Sequence, residues 1–131
     1  MVMAYVEALS GIDWDFGKML YQALRENTKF PAHGAFWLFE SDPGEWHLLI
    51  ATPRVDLVGP RRAYGELAEV TRSIVKDSSQ LLKVKLISPK MPLYLALRSV
   101  FGKTASVEGA RLGNTQVDGI YIDDAYLYEV R

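Results

Sequence analysis

Residues 35–52 read AFWLFESDPGEWHLLIAT, two dense apolar runs joined by Asp42-Pro43-Gly44. Proline presets φ for a turn and glycine accepts positive φ, so the join has turn chemistry. The flanking runs are rich in aromatic and branched residues, which suit a pleated surface. Together they predict a β-hairpin over Ala35–Thr52. Side chains alternate along a strand. Ala35, Trp37 and Phe39 therefore share one face, and Phe36, Leu38 and Glu40 the other. On the return strand Trp46, Leu48, Ile50 and Thr52 alternate with His47, Leu49 and Ala51. Both faces carry apolar residues, whereas a sheet with one solvated face alternates more cleanly. A second layer or a partner is expected to cover the far face.

Before the hairpin, Phe16, Met19, Leu20, Ala23 and Leu24 recur at helical spacing behind Asp13 or Asp15 as N-cap. This predicts a helix over about residues 14–27, ending near Asn27 and Pro31. Residues 1–10 are apolar and fit a short helix or an edge strand. After the hairpin, residues 53–59 read as a loop. Pro60 then opens a helix to about Lys76, with Ala63, Leu67, Val70 and Ile74 as its apolar stripe. Leu81–Ser88 reads as a strand with Leu82, Val84 and Leu86 inward and Lys83 and Lys85 outward, which makes a βαβ unit with the return strand. Leu93–Phe101 is a helix apolar nearly all round, hence deeply buried, with Gly102 placed for its C-terminal cap. Val107–Leu112 and Thr115–Ile122 flank Gly113-Asn114, a two-residue hairpin signal. Asp123-Asp124 interrupts the last run, and Tyr126, Tyr128 and Val130 then fall on one side. One bent strand is favoured there over a further hairpin.

The order α-β-β-α-β-α-β-β implies an α+β fold, 1–131, a single domain. It has a five- or six-stranded mixed sheet built around the central hairpin, with about three helices packed mainly on one face. The chain of 131 residues is 49% hydrophobic and 24% charged, ordinary globular usage. It contains no cysteine, which excludes disulfides, thiolate metal sites and cysteine catalysis. A net charge of −1, from 15 basic and 16 acidic residues, lacks the basic excess of a duplex-binding protein. No apolar run is long enough to span a bilayer and no signal peptide is evident. A cytoplasmic location is expected.

Three constellations could carry chemistry. His33 and His47 are the histidines, without metal-ligand spacing between them. Glu108, Asp118, Asp123 and Asp124 cluster towards the C-terminus, where carboxylates on paired strands could hold Mg²⁺. Neighbouring Asp123 and Asp124, however, should point to opposite faces of a strand. Arg54, Arg61 and Arg62 surround a helix start, where free N–H groups and guanidinium donors suit an anion. Pro60 removes one N–H and Asp56 can neutralise an arginine. No phosphate-loop, dinucleotide or nucleophile-elbow motif is present.

The favoured reading is a non-catalytic protein-binding or assembly module that self-associates as a homodimer. It would use Trp37, Trp46, Tyr126 and Tyr128, residue types suited to interfaces. An alternative is a small enzyme acting on a phosphorylated or anionic compound. Arg54, Arg61 and Arg62 would then bind the anion, and His47 or Asp124 would serve as catalytic base or metal ligand. A weaker one is nucleic-acid binding through Lys83 and Lys85. No cofactor and no resident metal are expected.

Overall fold

Ser10 starts the first helix. Its backbone is extended (φ −70°, ψ 152°) and its hydroxyl accepts a hydrogen bond from the Asp13 N–H at 3.1 Å. The cap is thus Ser10 rather than Asp13 or Asp15, and Asp13 lies in the first turn. In this computed structural model, which describes residues 8–104 and 106–131, helix α1 spans Gly11–Arg25. Residues 1–7, the bulk of the segment read as a short helix or edge strand, lie outside the described residues. Phe16, Leu20 and Leu24 line the buried stripe of α1. Past its end the Asn27 side chain accepts from the N–H groups of Lys29 and Phe30, turning the chain towards the sheet.

Strands β1 (Gly34–Glu40) and β2 (Glu45–Ala51) form the expected antiparallel hairpin, with Phe39 opposite Trp46 and Gly34 opposite Ala51. Beyond β2 the stretch read as loop contains a short helix α2 (Arg54–Val58), and Gly59 at φ 84° separates it from α3 (Pro60–Thr71). Helix α3 stops five residues short of Lys76. A 3₁₀ helix (Ser78–Lys83) leads into β3 (Val84–Ile87), which pairs parallel to β2. Val84 and Leu86 face inward as expected, but Leu82 precedes the strand and is 82% exposed. Helix α4 covers Pro92–Phe101, and β4 (Arg111–Val117) and β5 (Ile120–Val130) close the chain. Their turn is Asp118-Gly119, both at positive φ (47° and 79°), which is the primed turn matched to strand twist. Gly113-Asn114, read as that turn, lies inside β4. β5 is one continuous strand through Asp123-Asp124.

The strand order is β3-β2-β1-β5-β4, so the hairpin and β5 occupy the middle of a mixed sheet. Helices α1 and α3 pack on one face, over Ala35, Trp37, Leu48, Ile50, Val84 and Leu86. Helix α4 packs on the other, over Phe36, Leu49, Ala51, Ile87 and Leu127. Both apolar faces of the hairpin are therefore buried within the chain. Helix α4 is less enclosed than its sequence implies: Leu93, Tyr94, Ala96 and Leu97 are buried, while Leu95 and Val100 are exposed.

β5 departs from regular register once. Glu129 lies opposite Ala35 but Leu127 lies opposite Phe36, so Tyr128 has no partner on β1. This bulge aims both Tyr128 and Glu129 at α1 and returns Val130 to the α4 face, breaking the expected alignment of Val130 with Tyr126 and Tyr128. The Tyr128 hydroxyl donates to the Trp14 carbonyl (2.6 Å) and accepts from Trp37 Nε1 (2.9 Å). At Gly17 of α1, a Cβ would collide with that hydroxyl and with the Trp37 indole nitrogen. The absence of a side chain lets the helix lie on the sheet.

Candidate functional site

The arginine cluster does not form an open anion site. Arg54 reaches Glu66 with Nε (2.8 Å) and Nη2 (2.7 Å), a bidentate pair, and Arg62 Nε lies 4.0 Å from the same carboxylate. Asp56 accepts the Ser88 hydroxyl at 2.7 Å, and Arg61 is exposed. His47 sits on the α4 side of β2, its Nδ1 buried without a partner and its Nε2 3.5 Å from Glu45. Four residue steps separate it from the end of β2, about 13 Å of strand, and Arg54 lies beyond that. Asp124 is only 2% exposed and accepts Arg111 Nε (2.9 Å) and Nη2 (2.6 Å). It points to the α1 side, away from His47. The candidate bases and the arginines are thus scattered over both faces and both ends of the sheet. Among the described residues no group of three or more His, Asp or Glu side chains is arranged to hold a metal ion, and no helix is long and apolar enough to cross a membrane.

The four aromatic residues assigned to an interface divide. Trp37 is fully buried and Tyr128 nearly so, which places both in the core, out of a partner's reach. Trp46 and Tyr126 are half-buried and belong to a chain of rings along one end of the α1 side. Trp14 stacks on Tyr128 (4.2 Å between centroids, 23° between planes) and meets Tyr126 edge-on at 6.3 Å. Tyr126 lies 5.6 Å from Trp46, which meets Phe39 edge-on at 5.4 Å. The Arg111 guanidinium covers the Tyr126 ring at 5.0 Å while holding Asp124, so one side chain serves the rings and the buried charge.

Beside this cluster opens an apolar cavity of about 360 Å³, walled by Leu9, Ser10, Gly11, Trp14, Gly109 and Tyr126. Among the described residues the two most exposed large apolar side chains are Leu82 (82%) and Ile12 (75%), and neither belongs to the cavity wall. A 2.8 Å ion pair between Asp13 and Lys83, their sequence neighbours, brings the α1 start and the 3₁₀ helix together. Sequence reasoning missed Trp14, Ile12 and Arg111, and turned Leu82 inward. The one available signal was that Trp14 lies off the Phe16–Leu20–Leu24 stripe, so its ring needs cover from another element.

A second cavity, about 310 Å³, lies between α1, the Gly102, Thr104 and Val107 region and the end of β5. Its charges are compensated within the wall: Lys18 with Glu108 (3.2 Å), and Glu129 with Arg25 (2.7 Å) and Arg131 (3.5 Å). Burial pulls the Glu129 carboxyl up, but hydrogen bonds from Arg25 and Tyr21 outweigh it and hold the group below the usual range. Burial, then the Glu129 bond, raises the Tyr21 phenol. Burial, then Arg131 and Arg98, lowers His33 nearby. The groups serve one another, so this cavity has the chemistry of a structural clasp.

Comparison of the chain with protein families, with curated proteins and with solved structures finds no match.

Proposed function

We propose that this chain is a non-catalytic protein-binding module whose recognition surface is the cavity between Trp14 and Tyr126, with Trp46 beside Tyr126. The observation that carries the reading is an aromatic-walled apolar cavity that opens beside the Trp14–Tyr126–Trp46 rings. Rigid aromatic walls offer large contact area at low entropy cost, and contiguous exposed apolar surface marks interaction sites. The dispersal of His47, Asp124 and the arginines favours binding over catalysis. A cytoplasmic setting belongs to the same proposal.

Gly11→Glu gives a clean test. A Cβ at Gly11 meets nothing within 4 Å, so the substitution loads the cavity rim without a clash. Peptide-display selection against the wild type should enrich sequences with a large apolar anchor. Selection against Gly11→Glu should lose them. Identical enrichment on both proteins, or none on the wild type, would end this reading.

A further inference from the structure

We infer that the cavity between Trp14 and Tyr126 is taken by the chain's own residues 1–7, with Tyr5 and Met3 as the side chains that enter it. The inference rests on the binding surface proposed above and adds its regulation: an outside partner must displace a segment of the same chain. Three observations support it. The first is where that segment joins the described residues. Leu9 and Ser10 are themselves wall residues, so the stretch MVMAYVE is attached at the rim of the cavity. Four residue steps separate Tyr5 from Leu9, at most about 14 Å of chain, which lets a side chain turn back into a hole beside Leu9. The second is chemical match. None of the wall residues is charged, and a charged occupant would lose its hydration there without a counter-charge. Glu7 is the one charged residue of the segment, next to the junction, while Met1, Val2, Met3, Tyr5 and Val6 are apolar or aromatic. A tyrosine ring packs on aromatic walls and leaves its hydroxyl to water, and a thioether sulfur packs against ring edges. The third is size. A volume of about 360 Å³ lies within the range of small-ligand pockets, roughly 300–1,000 Å³, and suits a pair of side chains better than one. The tether completes the argument. It holds the segment at an effective concentration in the millimolar range, so even a weak intrinsic affinity fills the cavity.

Nuclear Overhauser spectroscopy on the isotope-labelled full chain tests the proposal directly. Protons of Tyr5 and Met3 should give cross-peaks to the Tyr126 ring and to Gly109, far along the chain from them. Gly11→Glu, which loads the rim, should erase these cross-peaks. A titration supplies the second readout. The probe is a synthetic peptide of residues 1–7, blocked at both ends, added to the full chain carrying Met3→Ser and Tyr5→Ser together. Circular dichroism verifies that both variants fold. With its own segment disabled, the double variant should bind the peptide roughly tenfold more tightly than the wild type, whose cavity is already filled. The Trp14 indole signal reports the binding. Cross-peaks absent from the wild type overturn the segment as occupant. So does peptide binding that is equal for the wild type and the double variant, or missing from both. The peptide selection on wild type and Gly11→Glu decides the binding surface separately, because it reads outside sequences rather than this segment.

Discussion

Arg111 shows how much one side chain can depend on a distant part of the chain. Its guanidinium is half-exposed, but the Asp124 carboxylate beneath it is buried and accepts two hydrogen bonds from it. Removing the arginine takes two charge-assisted hydrogen bonds from a buried carboxylate. Arg111→Ala should therefore destabilise the protein by about 1–3 kcal/mol in urea unfolding, the exposed arginine keeping the loss below that of a fully buried pair. It should also loosen Tyr126, visible as a change in the near-ultraviolet dichroism of the tryptophan cluster. Glu129 and Glu66 make a second residue-scale prediction. Both hold their protons less tightly folded than unfolded, Glu66 through its Arg54 bond and Glu129 through Arg25 and Tyr21 against the opposing effect of burial. As pH falls, the unfolded chain takes up these protons first, so their contribution is full above the ordinary value of 4.5 and is lost below it. His33, lowered from 6.5 mainly by burial, acts in the same direction from a higher starting point. The urea midpoint should be highest near neutral pH and fall on acidification. Glu129→Gln should start lower and decline less between about pH 5 and 3; an equal decline in both proteins would show that the Arg25–Glu129 clasp carries none of it. None of these pairings was legible beforehand, because partners such as Tyr21 and Glu129 are 108 positions apart.

Elements were more legible than contacts. The hairpin, three of the helices and the final strand follow from local periodicity and turn chemistry, which neighbouring residues carry by themselves. Errors fell where two local signals competed. Gly113-Asn114 and Asp118-Gly119 both suit a primed turn; Asn114 does adopt φ 46°, but Asp118-Gly119 closes the hairpin with Val117 opposite Ile120. Leu82 alternates with Val84 and Leu86 in sequence, but β2 offers β3 partners only from Leu48 to Ala51, and the chain before Val84 winds into a 3₁₀ helix instead. Helix α4 decides the function argument, because it covers the hairpin face that the sequence left open for a partner. Leu97 is fully buried there and Leu95 is exposed on the same helix. Leu97→Ala should cost about 2–5 kcal/mol through lost burial and a residual cavity. Leu95→Ala should stay within about 0.5 kcal/mol. A large loss at Leu95 in dilute monomer would mean that α4 packs differently.

At the scale of the whole molecule, one sheet is shared by two cores, with Trp37 and Phe36 adjacent on β1 and pointing into opposite ones. Neither core can lose its sheet without exposing the other. Unfolding followed by tryptophan fluorescence, which reports the α1 side, should coincide with far-ultraviolet dichroism in a single transition. Separated midpoints would show that the two layers fold independently. From the sequence by itself came the α+β class, the element order and the hairpin at its centre, because side-chain period and turn residues act over a few neighbours. The strand order, the bulge at Tyr128, the division of the helices between the two faces and the gathering of Leu9, Trp14, Gly109 and Tyr126 around one cavity were decided only in tertiary structure. Those features depend on which distant segments pair and in what register, and many registers satisfy the same local pattern until the packing of both faces selects one.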